Sequence, residues 1–270
     1  MIQHFYHRIS IYAAIAGIVP KRYLAFRLWF WIGMILRTIE MAILVFFWRA
    51  VYANTASIAG LSLQQTLTYI LLAQVFTPLA GQDLIWEFGF NLREGRIIHL
   101  LLQPVGFQAS FYAQALGTLA TELILQIPMM FVATFVFGLQ WPTEPGAWAS
   151  FVVSALLGYT SLFFFHWCLA CLTFYTTEVW GLGVLIFGLS LFFSGSLVPL
   201  AMMPAWLSTL VQSLPFAQSL AIPVNLLSGI TPVSAAPATW LYQLAWVIGL
   251  GLVSQAFFRV AVRKVTVQGG

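Results

Sequence analysis

Residues 193–230 read FSGSLVPLAMMPAWLSTLVQSLPFAQSLAIPVNLLSGI. Nearly every position is apolar or small, yet Pro199, Pro204, Pro215 and Pro223 interrupt the run. A proline inside a helix removes a backbone hydrogen bond and drives its ring into the preceding turn, so no single straight helix fits. The surrounding chain says where such a stretch can sit. Its 270 residues are 61% hydrophobic, 16% aromatic and only 7% charged, with a mean hydropathy of +0.93. One water-soluble core cannot hide that much apolar surface, so the surplus faces lipid. The segment 201–238 is then expected to hold two short helices that dip into the outer half of a membrane and return, as is allowed where protein covers the broken backbone. The MMPAW and LPFAQ corners should lie near the outer surface, with Trp206 as an interfacial anchor.

Outward from this interval, runs of about 20 apolar residues are long enough to cross a bilayer as helices. Six are read, at roughly 28–48, 64–89, 109–138, 147–175, 179–200 and 239–259. They make residues 1–270 one all-α polytopic transmembrane domain, with no internal repeat, charge run or low-complexity linker. Orientation follows from the basic residues, because short loops rich in Lys and Arg stay cytoplasmic. Arg8, Lys21, Arg22 and Arg27 precede the first span, Arg93 and Arg96 follow the second, and Arg259, Arg263 and Lys264 follow the sixth. The opposite loops offer Arg49 at a span edge and Glu144 in QWPTEPGAW. Both termini are therefore expected in the cytoplasm.

The opening segment 1–23 has the centre of a signal peptide but the periodicity of an amphipathic helix. Ile2, Phe5, Tyr6, Ile9, Tyr12 and Ala13 share one face, and Gln3, His4, His7, Arg8 and Ser10 the other, with Ile11 out of place. An interfacial helix along the inner leaflet, turned into the first span by Pro20, accounts for this pattern. An ordinary helix packed on its neighbours is the alternative.

Ionisable residues within a membrane are costly and need partners. Arg37 and Glu40 lie three apart in LRTIEM and can neutralise one another on one helix face. Glu122 and Gln126 lie four apart in TELILQIP, so their common face should look into protein or a water-filled cavity. The carboxylate there could receive a cationic substrate or make a structural hydrogen bond. Glu178, after Thr176 and Thr177, suits the start of the fifth helix.

Several activities find no support. His166, Cys168 and Cys171 in HWCLAC spread around a helix instead of converging, and no further cysteine completes a zinc shell. A membrane serine hydrolase needs a converging serine and histidine, and FSGS with HWC supplies only loose candidates. A phosphate loop ends in Lys followed by Ser or Thr, whereas Lys21 is followed by Arg22 and Lys264 by Val265. No bound cofactor and no nucleic-acid partner are expected, and ATP-driven work would have to come from another subunit.

Three stretches carry a resemblance: LREGRIIHLLLQP at 92–104, SLPFAQSLAIPVNLLSG at 213–229 and the terminal VTVQGG, supported by FWRAVYANTASIAGLSLQQTLTYILLAQ at 47–74. The chain resembles, over nearly its whole length, the six-span permease subunits of type-2 ABC exporters, in the branch associated with drug and viologen export and daunorubicin-type resistance. The resemblance implies six helices per subunit, an interfacial entry helix and outer re-entrant helices between the last two spans. It also implies pairing with a second permease, identical or homologous, in a bacterial inner membrane, and a separate ATPase subunit holding ATP and Mg at the cytoplasmic face. On that footing the segment 91–107, NLREGRIIHLLLQPVGF, becomes a small cytoplasmic knob. Gly95 loosens the chain, Arg96 to Leu102 form a short helical turn, and Pro104 stops it. Arg93, Glu94, Arg96 and His99, with an apolar ridge of Ile97, Leu100 and Leu101, would fit a groove on the ATPase. A solvated loop that serves only topology is the plainer account. The competing function is a proton-coupled secondary transporter or channel working through Glu122 or Glu40.

Overall fold

The computed structural model describes residues 10–20, 27–82, 84–176 and 179–264. The expected N-terminal helix is described only over Ser10–Pro20 (α1), and Glu178, the residues 1–9 and 21–23 and the VTVQGG end lie outside the described residues. The fold is almost entirely helical. After α1 come α2 (Arg27–Val51), a two-stranded hairpin of β1 (Ser57–Ile58) and β2 (Leu61–Ser62), α3 (Leu63–Val75), α4 (Leu84–Arg93) and α5 (Arg96–Leu101). Then follow α6 (Phe107–Leu125), α7 (Ile127–Phe135), α8 (Pro145–Ala170), α9 (Val179–Phe193), α10 (Ala205–Ser213), α11 (Pro215–Ser219), α12 (Ala221–Leu227) and α13 (Ala236–Ala261).

Among the described residues, four helices are long and apolar enough to cross a membrane: Phe30–Val51, Phe107–Phe135, Pro145–Phe174 and Val233–Lys264. The count reaches five if α10 with α11 and α12, bent by 68°, is taken as one span. The remaining two stretches of the six-span reading are not single long helices. The stretch 64–89 breaks after α3 into a 3-10 turn, Thr77–Leu79, with Pro78 inside it, before α4 begins. The last of the 179–200 reading is also lost: α9 has 15 residues and ends before Gly195, whose φ of +79° no helix accommodates. Pro128 breaks α6 from α7, with Gln126 closing α6.

The re-entrant segment differs from its expected depth. Pro199 and Pro204 precede short helical pieces, Pro215 opens α11, and Pro223 lies inside α12. All of Pro215–Ser219 is buried, whereas Trp206 in the MMPAW corner is 71% exposed. The LPFAQ corner is therefore not at the surface. It packs midway along α8, where Gly158 approaches so closely that a Cβ would overlap the Gln218 carbonyl oxygen. Glycine permits this backbone contact, and two side-chain amides cover the interrupted backbone: Gln218 donates to the Gln212 carbonyl, and Gln243 on α13 donates to the Gln218 carbonyl at 3.0 Å. The sequence placed the prolines correctly but could not show which helix had a glycine waiting for them.

Among the described residues, besides a small cluster of Leu200, Val211, Ala217 and Ala221, two larger apolar cores lie along the helices. One gathers Met41, Trp48, Tyr69, Phe76, Phe151 and Leu227. The other is aromatic, with Phe88 4.9 Å from both the Phe111 and Trp167 rings and Phe107 stacked on Phe258 at 5.0 Å. Arg93, Arg96, Arg259, Arg263 and Lys264 follow or adjoin in the chain the residues of this second core, Phe88, Ile97, Phe258 and Ala261, whereas Arg49 lies in the last turn of α2. Helix α1 packs on α6. The Tyr12 hydroxyl accepts from the Gly106 N–H at 3.2 Å, and a Cβ on Gly117 would meet the Ala16 backbone. Val19 is buried and Ile11 and Ile15 are half-buried, so Ile11, the misfit of the amphipathic pattern, sits on the protein-facing side while Ala13 is exposed.

Candidate functional site

A cavity of about 460 Å³ lies between the end of α3, α4, α6, α8 and α9. Among the described residues, four acids or bases line it from different helices: Glu87 from α4, Glu122 from α6, Arg37 from α2 and His166 from α8. Gln114 on α6 donates through Nε2 to Glu87 Oε1. Glu122 is eight residues further along the same helix, a rise of about 12 Å, so the carboxylates stand at two depths. Trp86 is fixed on the wall because Gly183 of α9 leaves no room for a Cβ beside its indole.

The sequence-predicted residues divide accordingly. Glu122 lines the cavity, and Gln126, buried at the end of α6, does not. The expected Arg37–Glu40 ion pair is not formed. Arg37 lines the cavity that holds Glu122, while Glu40 does not reach it. Sequence spacing permits an i,i+3 pair but does not oblige a long guanidinium arm to bend toward it. Glu87 sits inside the apolar run LIWEFGF with no spacing to another polar residue, so only its charge marks it in the sequence. His166 drew notice through HWCLAC, and no group among the described residues there can hold a metal. Its ring instead lines the cavity, 1% exposed, with neither nitrogen hydrogen-bonded. Ser190 Oγ and Gln82 Oε1, on residues of the same wall, are likewise buried without partners.

Toward the re-entrant helices the cavity ends at the turn Ser194–Gly195–Ser196. The Tyr69 hydroxyl donates to the Gly195 carbonyl at 2.9 Å, and Gln74 Nε2 donates to the Ser196 carbonyl at 3.2 Å. The prolines 199, 204, 215 and 223 shape the segment behind this turn without lining the cavity.

The charged segment forms at the opposite end. α4 stops at Arg93, Gly95 turns the chain with φ +68°, and α5 runs from Arg96 to Leu101. Arg96 Nη2 pairs with Glu94 Oε2 at 2.7 Å, and its guanidinium lies 4.6 Å above the exposed Phe90 ring. The expected apolar ridge faces elsewhere than anticipated. Ile97 is 1% exposed within the aromatic core, and Leu100 and Leu101 are half-buried against that core. What α5 turns outward is Arg96 and His99, continued by Arg93 and Glu94 before it and by Leu102, 77% exposed, after it. Periodicity identified the ridge but not which body it would meet, because the chain's own aromatic core lies within reach.

Residues 38–269 match the family model described as "ABC-2 family transporter protein". No curated protein and no solved structure matches the chain.

Proposed function

The chain belongs to the ABC-2 family of transporter proteins, a multi-pass membrane component whose ATPase is a partner subunit, and from that premise we propose that it is the permease of an exporter for amphiphilic or cationic compounds, drugs and viologens included. A second permease, identical or homologous, completes the translocation path in a bacterial inner membrane. The stretches 64–89 and 179–200 complete six passes as interrupted spans. ATP and Mg are held by the ATPase, which docks on the face built by Arg93, Glu94, Arg96, His99 and Leu102. Force then enters through α5, whose Ile97 is wedged into the aromatic core shared by α4, α6, α8 and α13. The observation that carries this reading is the cavity beside that core, with carboxylates at two depths and a hydrogen-bonded turn at its end.

Glu122→Gln, made in the assembled transporter, should lower substrate-stimulated ATP hydrolysis by a transported cation at least fivefold, while basal hydrolysis and expression stay near wild type. Stimulation that is unchanged for every transported cation would exclude a role for this carboxylate in the path. Were transport instead driven by a proton gradient with no ATPase bound, the secondary-transporter account using Glu122 or Glu40 would replace this one.

Orientation has its own check. With both termini cytoplasmic, a cysteine at the exposed Ala205 should react in intact cells with a membrane-impermeant thiol reagent, above the background of Cys168 and Cys171. One at the exposed Gln103 should react only after the cells are opened. The reverse pattern means that α5 is extracytoplasmic and cannot meet an ATPase.

A further inference from the structure

We propose that the cytoplasmic end of α13 carries a headgroup site for an anionic phospholipid of the inner leaflet, held by Arg259, Arg263 and Lys264. No charged residue stands between Glu178 and Arg259, and none follows Lys264, so these three cations hold all the side-chain charge of the chain beyond Glu178. Arg259 lies in the last turn of α13, and Arg263 and Lys264 lie in the 3-10 turn, Val262–Lys264, that continues it. All three are exposed, and among the described residues none of them meets a carboxylate. The inference rests on the proposed orientation of α13 in the membrane and asks nothing of the cavity or its substrate.

Burial places the cluster at the edge of lipid. One side of this part of α13 is packed: Ser254 Oγ accepts from Gln108 Nε2 at 2.8 Å, Phe258 stacks on Phe107, and Ala261 is buried. The other side is bare. Leu252, Val253, Phe257 and Val260 are exposed there, and the cations follow them along the helix. In a membrane such a stripe is covered by acyl chains, and the cations at its end stand at headgroup depth, with their aliphatic stems over apolar surface and their charged tips in the polar layer. Phosphate is the anion of that layer, and a guanidinium meets it through two parallel N–H groups. Arg259 and Arg263 are four residues apart, about one turn, so both can serve one headgroup, with Lys264 adding a point charge. The carbonyls that end α13 oppose an anion with about half an elementary charge, which three full positive charges outweigh. The apolar stripe also decides between occupants. A docked ATPase or a free anion would use the cations but leave Leu252, about 10 Å deeper by helical rise, without a role, whereas a phospholipid uses both parts.

Native mass spectrometry of the full-length permease, titrated with phosphatidylglycerol or phosphatidylcholine, resolves the binding of single lipids. The first phosphatidylglycerol should bind roughly tenfold or more tighter than the first phosphatidylcholine, because each cation at an anionic membrane surface contributes about fivefold. Arg259→Gln combined with Arg263→Gln should weaken phosphatidylglycerol by roughly tenfold or more and phosphatidylcholine by less than about twofold. Arg96→Gln, whose charge is already paired with Glu94, should leave the preference in place. Unchanged phosphatidylglycerol affinity in the double variant overturns the proposal. So does displacement of the bound lipid by millimolar inorganic phosphate, which would make the cluster a site for free anions. Both arginines are exposed, so the double variant should fold; if its insertion suffers, Arg263→Gln alone, with an expected loss of about fivefold, decides in its place. The amount of ATPase that copurifies reads the docking proposal separately. A double variant that sheds its ATPase yet keeps wild-type phosphatidylglycerol affinity assigns the cluster to the partner subunit and overturns the lipid site.

Discussion

Gly158→Ala is expected to leave almost no folded permease. The added methyl would overlap the carbonyl oxygen of Gln218 and crowd the Ser219 backbone. Overpacking a core with a flexible neighbour costs about 1–3 kcal/mol, but here the neighbours are backbone atoms of α11, itself buried on every residue. Relief requires α11 to leave α8. That would also break the Gln243–Gln218 hydrogen bond at 3.0 Å and uncover interrupted backbone in an apolar setting, where each unsatisfied group costs several kcal/mol. Gly188→Ala is the matched control, since a Cβ at Gly188 meets nothing within 4 Å and alanine is favoured over glycine in a helix by about 1 kcal/mol. Size-exclusion profiles and thermal unfolding in detergent should show Gly188→Ala at or above wild-type stability and Gly158→Ala aggregated. A monodisperse Gly158→Ala protein with an unchanged unfolding midpoint would mean that the re-entrant helices are not docked on α8 in the folded state.

The second large effect separates the two sides of α5. Leu102→Asp should insert and fold normally yet lose its ATPase, whereas Ile97→Asp should lose the fold itself. Leu102 is 77% exposed, and Ile97 is 1% exposed among Phe88, Phe111 and Trp167. An unpaired carboxylate buried at a contact costs on the order of several kcal/mol, a large part of the roughly 8 kcal/mol that holds a micromolar partner. Retention of the ATPase on affinity-purified Leu102→Asp permease should therefore fall by at least tenfold, and export with it. Arg96→Ala gives up a half-exposed pair with Glu94, worth about 1 kcal/mol or less, and should keep most of both. Full ATPase retention by Leu102→Asp would move the docking face away from α5.

Features that depend on one helix at a time were readable from the residues, and features that depend on which helices meet were not. Pro204 and Pro215 announce breaks because a proline acts on its own backbone, and Gly95 with Pro104 brackets α5 for the same reason, whereas the span read over 109–138 ran through Pro128 without a break. The depth of α11 was illegible: it hangs on Gly158, one glycine among 20 in the chain. The cavity was half legible. Glu122 stood out as a charge at mid-helix, but Arg37 looked satisfied by Glu40, since spacing along α2 cannot show that the guanidinium lines the same cavity as Glu122, and His166 looked like packing because a single sequence cannot tell a satisfied ring from an unsatisfied one. The ridge of Ile97, Leu100 and Leu101 shows the same limit from the other side, as an apolar stripe states that something must cover it without saying whether the cover is another subunit or the chain's own aromatic rings.

The turn at Ser194–Gly195–Ser196 is held by two side chains of α3, Tyr69 and Gln74, each gripping a carbonyl oxygen. A hydrogen bond of this kind contributes about 1 kcal/mol net, so the pair amounts to roughly 2 kcal/mol, a ratio of about thirty between shut and open by thermal fluctuation alone. A latch that weak cannot serve as the insulation of a resting membrane against small ions. Packing behind the latch adds to its hold: a Cβ at position 195 would fall 2.7 Å from the Tyr69 hydroxyl and 2.9 Å from the Ala221 Cβ of α12, so a side chain at this one position would part the turn from α3 and α12 together.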